Sequence, residues 1–374
     1  MKFRILGNPE NRRVSLFAEA LQSAGLAPPQ VLPYAGFIRN PDLPGDTLQE
    51  KCVFRIDSPG ENEEVRRLLI LQGMRREKEK QEEVSRLTGD FGRVGYGREW
   101  YNGFAGLLKT IGQKAQAYPQ IRWMNTPQDI RTMFDKQQCH ALFLEKNIPV
   151  PALLPEVFTY EALKSEMRKA GKTRVFVKPA HGSSASGVVA FRMQKEKMEA
   201  ISSAEAVEKP GGIALYNSLK IRSYKNENEI AGLLDSVFRD KAIVEEWIPK
   251  AGYKGQVFDL RILVIGGKAC HTVVRRSKSP ITNLHLGNKR GLTEDVVALI
   301  GKSKMEEARF IAEQAAACFP GSLYIAADVL IASDRSTIKI LEVNAFGDLL
   351  PGILHNGEST YTAEINALLQ NDAG

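Results

Sequence analysis

The chain has 374 residues, of which 43% are hydrophobic, 25% charged and 8% aromatic, with a formal net charge of +7. This is the composition of a globular protein of two domains or three compact lobes, long enough to bury a core without disulfides or metals. It excludes a disordered tail-binder. The uninterrupted apolar runs, such as residues 68–71 and 262–265, are too short to span a bilayer, and the opening MKFRILGNPE has no room for a signal-peptide core, so a cytoplasmic location is expected.

In chain order, residues 3–7 are an apolar run, residues 8–11 carry turn chemistry, and residues 14–24 repeat apolar positions at helical spacing. A strand, a turn and a helix follow from that. Residues 52–56, 57–60 and 63–86 repeat the pattern, which predicts an α/β N-terminal domain over residues 1–125. The run 75–86 holds five basic and four acidic side chains, which nearly cancel and mark a solvated helix face rather than a nucleic-acid arm. Residues 88–104 hold five glycines with Tyr and Trp between them but lack the G-K-[ST] ending of a phosphate loop. They are expected to be an irregular connection.

Thr126 followed by Pro127 is an N-cap with proline at the first helical position. It predicts one helix through Lys146, stopped by Asn147-Ile148-Pro149-Val150-Pro151. A short helix over residues 160–170 leads to a strand over 174–178 that ends in Lys178. Beyond it, small residues including Gly182, Ser183, Ser184 and Ser186 form a loop between two apolar strands. Backbone N–H groups and hydroxyls of such a loop close over phosphates, with Lys178 as a point charge. Taken alone, a plain Ser/Gly hairpin beside an exposed lysine reads equally well.

Residues 243–248 (IVEEWI) form a buried-type strand with two glutamates. Residues 258–265 and 269–277 are strands joined by Gly266-Gly267, a two-residue hairpin signal. In that register Asp259 faces Val274, Arg261 faces Thr272 and Arg276 faces Val257. Asp259, Arg261 and Arg276 then share one face and Arg275 points to the other. Residues 261–290 carry seven basic and no acidic side chains, which equals the whole excess of the chain and suggests one anionic ligand. Strands over 324–331 and 338–344, joined by a loop over 333–337, place Asp328 opposite Glu342 with Asn344 on the same face. Like charges so paired repel. Two carboxylates and an amide oxygen make a hard-oxygen site suited to Mg²⁺ holding ATP phosphates, with Mn²⁺ as the alternative ion.

Asp135-Lys136 with Ile148-Pro149-Val150-Pro151, Phe176-Val177-Lys178-Pro179, Glu245-Glu246-Trp247, Asp259-Leu260-Arg261 and Glu342-Val343-Asn344 resemble, in this order, the motifs of ATP-grasp enzymes. The look is closest to the ligases that add glutamate to a ribosomal protein and more distant to D-alanine–D-alanine ligases. The resemblance implies an α/β chain with α+β lobes: a preceding domain, a first ATP-grasp lobe over 126–240 and a second over 241–374, gripping ATP between antiparallel sheets. It implies Lys136 and Lys178 on the ATP phosphates and the loop with Gly182, Ser183, Ser184 and Ser186 over the nucleotide. Glu245, Glu246, Trp247 and Ile248 would line the adenine pocket, Asp259 would sit near the ribose and Asn283 on the phosphate side. Asp328, Glu342 and Asn344 would bind two Mg²⁺.

The implied reaction activates a small-molecule or peptide carboxylate as an acyl phosphate, which an amine converts to an amide with release of ADP and phosphate. Arg276, and after it Arg261, is expected to stabilise the acyl phosphate. The alternative is a kinase on the same scaffold that phosphorylates a hydroxyl. No nucleic-acid or membrane partner is expected; a homodimer is expected from relatives alone. The chain departs from the resemblance around Asn283 and in residues 345–352, where substrate should sit, so the acceptor is not carried over. Arg55 with Ser58-Pro59-Gly60 is placed to reach substrate from the N-terminal domain. The four cysteines and five histidines show no metal-ligand spacing. His140 and His271 read as structural, His181 and His285 as loop contacts.

Overall fold

In the computed structural model, residues 1–41, 51–74, 84, 92–182, 185–195, 197–209 and 212–370 are described. The chain opens as its periodicity predicts. Strand β1 (Lys2–Gly7) is followed by a helix Arg12–Ser23, whose N-cap Asn11 accepts from the Arg13 N–H, and by β2 (Gln30–Pro33). β3 (Cys52–Ile56) precedes a helix Glu63–Gly73 capped by Asn62; the remainder of the predicted helix lies largely outside the described residues. After β4 (Arg93–Val94) comes a helix Gly97–Ala115, then β5 (Ile121–Trp123). Strands β2, β1, β3 and β5 form a parallel sheet in that order.

The helix Gly97–Ala115 corrects the expectation of an irregular connection. Its glycines serve close packing. A Cβ at Gly103 would lie 1.9 Å from the Leu69 carbonyl oxygen, and one at Gly73 would lie 1.8 Å from that of Glu99. The two helices therefore cross backbone to backbone. Gly103→Ala is expected to destabilise by at least about 1–3 kcal/mol, because the contact is with backbone that cannot step aside. A lowered urea midpoint checks it.

The same helix starts at Tyr96, which offers no side-chain cap. Its first N–H groups donate to Asp240 instead, Gly97 to Oδ2 at 2.8 Å and Arg98 to Oδ1 at 3.2 Å. Burial pushes the Asp240 carboxyl up to about 6, against ~3.9 in an unfolded chain. The folded state holds this proton more tightly, so its contribution is full below the unfolded value and is lost as pH rises through about 6. Asp240→Asn, which keeps an acceptor and does not ionise, is expected to gain stability relative to the parent between pH ~4 and ~6.5. Thermal melts of both across that window test the sign.

The single helix predicted over 127–146 is two, Pro127–Met133 and Lys136–Glu145. Asp135 breaks it by turning its carboxylate onto the N–H groups of Gln137 and Gln138, both at 3.0 Å. A helix Tyr160–Lys169 then leads into β6 (Arg174–Pro179), β7 (Val189–Gln194), β8 (Lys197–Lys209) and β9 (Gly212–Tyr224). A helix Glu227–Phe238 and β10 (Ala242–Glu246) follow. The sheet is antiparallel in the order β10-β6-β7-β8-β9-β4. β10 thus belongs with the first lobe although it falls past residue 240, and β4 joins it from the N-terminal segment. The lobe has its own core, including Leu163, Met167, Val175, Val177, Phe191 and Leu233.

The last lobe is built on β11 (Gly252–Tyr253), β12 (Gln256–Ile265), β13 (Lys268–Ser277), β14 (Lys289–Gly291), β15 (Tyr324–Ile331) and β16 (Ile338–Asn344). Its main path runs β14-β13-β12-β15-β16, with β11 on β12. Helices Thr293–Ile300, Lys302–Ala317 and Thr360–Gln370 complete it. This lobe shares a core with the N-terminal domain, in which Phe3, Ile5 and Phe17 pack with Leu263, Tyr324 and Ile365. The buried Asn125 side chain donates to the Tyr324 carbonyl at 3.0 Å and links the segment after β5 to the start of β15. Among the described residues no helix is long and apolar enough to cross a membrane.

Candidate active site

Strand pairing decides which side chains meet. Across β12 and β13, Gly266-Gly267 forms the predicted hairpin, but an irregularity between Ile262 and Val264 shifts the pairing by one. Asp259 lies opposite Arg275 and Phe258 opposite Arg276. The expectation for Arg276 is therefore corrected. Arg276 stands on the other face, 5.7 Å over the Tyr253 ring, and Arg275 shares the face of Asp259 and Arg261. Across β15 and β16 two departures cancel: the hairpin is one residue wider than predicted, pairing Ile331 with Ile338, and an irregularity next to Asp328 restores the register. Asp328 does face Glu342, and Asn344 follows beside Ala326.

The charge of Asp328 is answered by arginine. Arg261 grips it with Nε at 2.9 Å and Nη2 at 3.0 Å, and Arg275 adds Nη1 at 3.0 Å. Burial alone would raise the Asp328 carboxyl, but the two guanidinium groups hold it below the ordinary carboxylate range. Asp259, expected near a ribose, is instead sealed in, only 1% exposed. It accepts from Arg275 Nε at 2.7 Å and Lys250 Nζ at 2.8 Å, and Thr282 donates to it as well. Burial works to raise Asp259 too, and is outweighed by Arg275 and Lys250, which lower it. Lys250 is pushed down by its own burial and carried up in part by Asp259.

Two further lysines reach the cleft from other elements. Lys136, the first residue of its helix, donates to the Gly182 carbonyl at 2.6 Å and lies 3.6 Å from Glu342. It bridges the small-residue loop to β16. Lys178, at the end of β6, is held between both oxygens of Glu245 at 2.8 and 3.0 Å. Glu245 is only 3% exposed, so it acts on the lysine rather than on a base. The Glu246 carboxylate is occupied by Lys172, and Trp247 packs on Phe176 at 5.4 Å. Glu245, Glu246 and Ile248 border the cavity with Phe176, Val188, Ile281 and Leu341. An apolar slot thus runs alongside Lys178, Gly182, Ser186 and Asn283. Ser183 and Ser184 lie outside the described residues.

An adjoining cleft of about 340 Å³ opens toward the N-terminal domain. Ser58 and Gly60 line it as expected, with Arg13, Trp100, Phe134 and Phe346. Arg55 does not: it is fully buried and bound to Glu364 at 2.7 Å and to Asp348. His140 and His271 each bind a backbone carbonyl, at 2.8 and 2.9 Å, and His140 also borders the cleft. His181 is stacked on Tyr101 at 4.0 Å, and His285 borders the cleft. All four cysteines are free. Lys250, Arg275 and Arg13 escaped sequence reasoning. The adjacent arginines were the available signal, and only the strand irregularity distinguishes them.

The donors present suit Mg²⁺. Glu342 and Asn344 border the cleft. Asp328 Oδ1 accepts one hydrogen bond and Oδ2 two, which leaves Oδ1 a free lone pair. No group of three or more His, Cys, Asp or Glu among the described residues forms a site by itself. Hard cations bound with phosphate oxygens need only such a partial set.

Comparison with known proteins adds a family and a fold. Residues 121–344 match the model of the YheC/D-like ATP-grasp family. No curated protein matches the sequence. The ATP-grasp ligase PsnB, solved with a minimal precursor, superposes with a TM-score of 0.53 at 14% identity, covering 99% of each chain. The D-cycloserine synthetase DcsG gives 0.56 at 11% identity, again over 99% of each. N5-carboxyaminoimidazole synthase from Aspergillus clavatus gives 0.53 at 12% identity, over 99% of this chain and 77% of that one. None of these matches singles out the ribosomal-protein glutamate ligases.

Proposed function

The chain belongs to the YheC/D-like ATP-grasp family, and from that premise we propose that it is an ATP-dependent carboxylate–amine ligase. The reading rests on one observation: Lys136, Lys178, Glu342 and Asn344, from three separate elements, converge on two adjoining cavities beside the Arg261–Asp328 pair. Phosphoryl transfer needs positioning and charge neutralisation more than a covalent nucleophile. Lys136 and Lys178 bind the phosphates, and the apolar slot beside Ile248 takes the base. Asp328, Glu342 and Asn344 hold Mg²⁺, which when bound neutralises phosphate charge. Arg261, with 20% of its side chain exposed, stabilises the charge that develops as a carboxylate oxygen displaces ADP from the γ-phosphorus. Arg275 orients it from below through their shared Asp328. An amine then attacks the acyl carbon, phosphate leaves and the nitrogen loses a proton. Gly182 and residues 185–187, in a lobe with its own core, exclude water from the acyl phosphate. PsnB, solved also with Mg and ADP, and DcsG support this class of chemistry on the fold.

ADP release with Mg²⁺-ATP across carboxylates, each with and without an amine, tests the proposal. Turnover that requires both substrates supports it. Turnover with a hydroxyl compound alone would move the protein to the kinases.

A further inference from the structure

The loop after Asn344 is seated with unusual care. Residues 345–350 belong to no strand or helix, yet Ala345, Phe346 and Asp348 are buried. Phe346, Gly347 and Leu349 line the cleft beside Asn344. Three attachments hold the loop there. A Cβ at Gly347 would lie 2.2 Å from that of Ala326, so the backbone rests directly on β15. The wholly buried Asp348 carboxylate is gripped from the N-terminal domain, by Arg13 Nη1 at 2.6 Å and by Arg55 Nη2. Arg13 also donates to the Phe346 carbonyl at 2.6 Å. A buried carboxylate so paired does not give up a partner cheaply, since each loss leaves uncompensated charge.

We propose that Asp348 is a positioning residue: through Arg13 and Arg55, the N-terminal domain sets residues 345–350 as the wall against which the carboxylate substrate is held. The inference rests on the ligase reading and narrows it. Phe346 meets Phe134 at 5.6 Å, and Phe134 meets Trp100 at 5.7 Å. The cleft that this aromatic wall lines also carries Arg13, Arg261 and Asn344. It fits a carboxylate whose body is aromatic or otherwise apolar, with its charged end toward Arg261.

Three variants of the full chain, Arg13→Ala, Arg13→Lys and Asp348→Asn, test this by hydrogen exchange, Mg²⁺-ADP titration and steady-state ADP release. Benzoate and phenylacetate are compared with acetate and glutamate, each with an amine panel. In Arg13→Ala, exchange within residues 345–350 rises about tenfold while β15 and β16 keep their protection. Mg²⁺-ADP affinity stays within about twofold, and Arg13→Lys restores part of the loop protection. The KM for the aryl carboxylate rises about tenfold with the KM for ATP unchanged. Unchanged loop exchange, or loss of protection spread through the whole sheet, would overturn the positioning role. Turnover with acetate or glutamate but not the aryl acids would overturn the substrate class. Failure of the parent protein to bind Mg²⁺-ADP would strike the ligase reading instead and leave the exchange result standing.

Discussion

Replacing Glu342 by glutamine is expected to lower ADP release about 10²–10³-fold, the usual consequence of removing one preorganised charge from a phosphoryl-transfer site. The substitution keeps shape and removes charge. Glu342 is 30% exposed, and its partner Lys136 lies 3.6 Å away, beyond a direct hydrogen bond. The melting temperature should therefore barely move, because partly exposed ion pairs of this kind contribute little. Lys178→Ala should also abolish turnover, but it strands the Glu245 carboxylate, 3% exposed and held by that lysine. Lost stability would accompany lost activity there. Glu342→Gln is the cleaner experiment: ADP release and a thermal melt on the same preparation separate chemistry from folding. Full turnover in Glu342→Gln would remove this residue from the metal and phosphate site.

Arg275→Met and Arg276→Met should differ sharply although the two arginines are neighbours. Arg275 is 5% exposed and bonded to both Asp259 and Asp328. Its removal leaves two buried carboxylates with weaker compensation, which costs about 3–5 kcal/mol. Arg276 stands on the opposite face over Tyr253, where the cation–π contact is worth about 0.5–1 kcal/mol. Urea midpoints of the two variants measure the contrast. The reverse order would mean that the hairpin pairs without its irregularity and that Arg276 shares the face of Asp259 after all. Arg275→Met should also lower turnover beyond its effect on stability, because Asp328 then loses one of the two groups that hold it under Arg261.

The two strand–helix units within residues 2–23 and 52–73 and the lysine at the end of β6 were legible because each rests on local rules. Alternation along a strand, a tight glycine turn and a cap residue before an apolar repeat all act within a few residues. The glycine-rich stretch around residue 100 misled for an equally physical reason. Glycine in isolation signals a turn, and only the second helix, with Leu69 and Gly73 pressed against Gly103, makes it a packing residue. The pairing of Asp328 with Glu342 was reached through a loop one residue too short, and the irregularity beside Asp328 repaired the count. The same kind of irregularity in β12 had no compensation, so the choice between Arg275 and Arg276 came out reversed.

The sequence by itself determined the ATP-grasp class, through short motifs that resemble those of that family in order, and it singled out Lys136, Lys178, Asp328 and Glu342 for the site proposed above. The tertiary structure alone decided which arginine enters the site, which sheet β10 joins and that Arg55 is sealed rather than exposed. Those outcomes depend on a one-residue slip between strands and on a buried charge pairing between Arg55 and Asp348, 293 positions apart. Neither leaves a periodic trace in the chain, because strand irregularities and long-range ion pairs are settled by packing after the elements have formed.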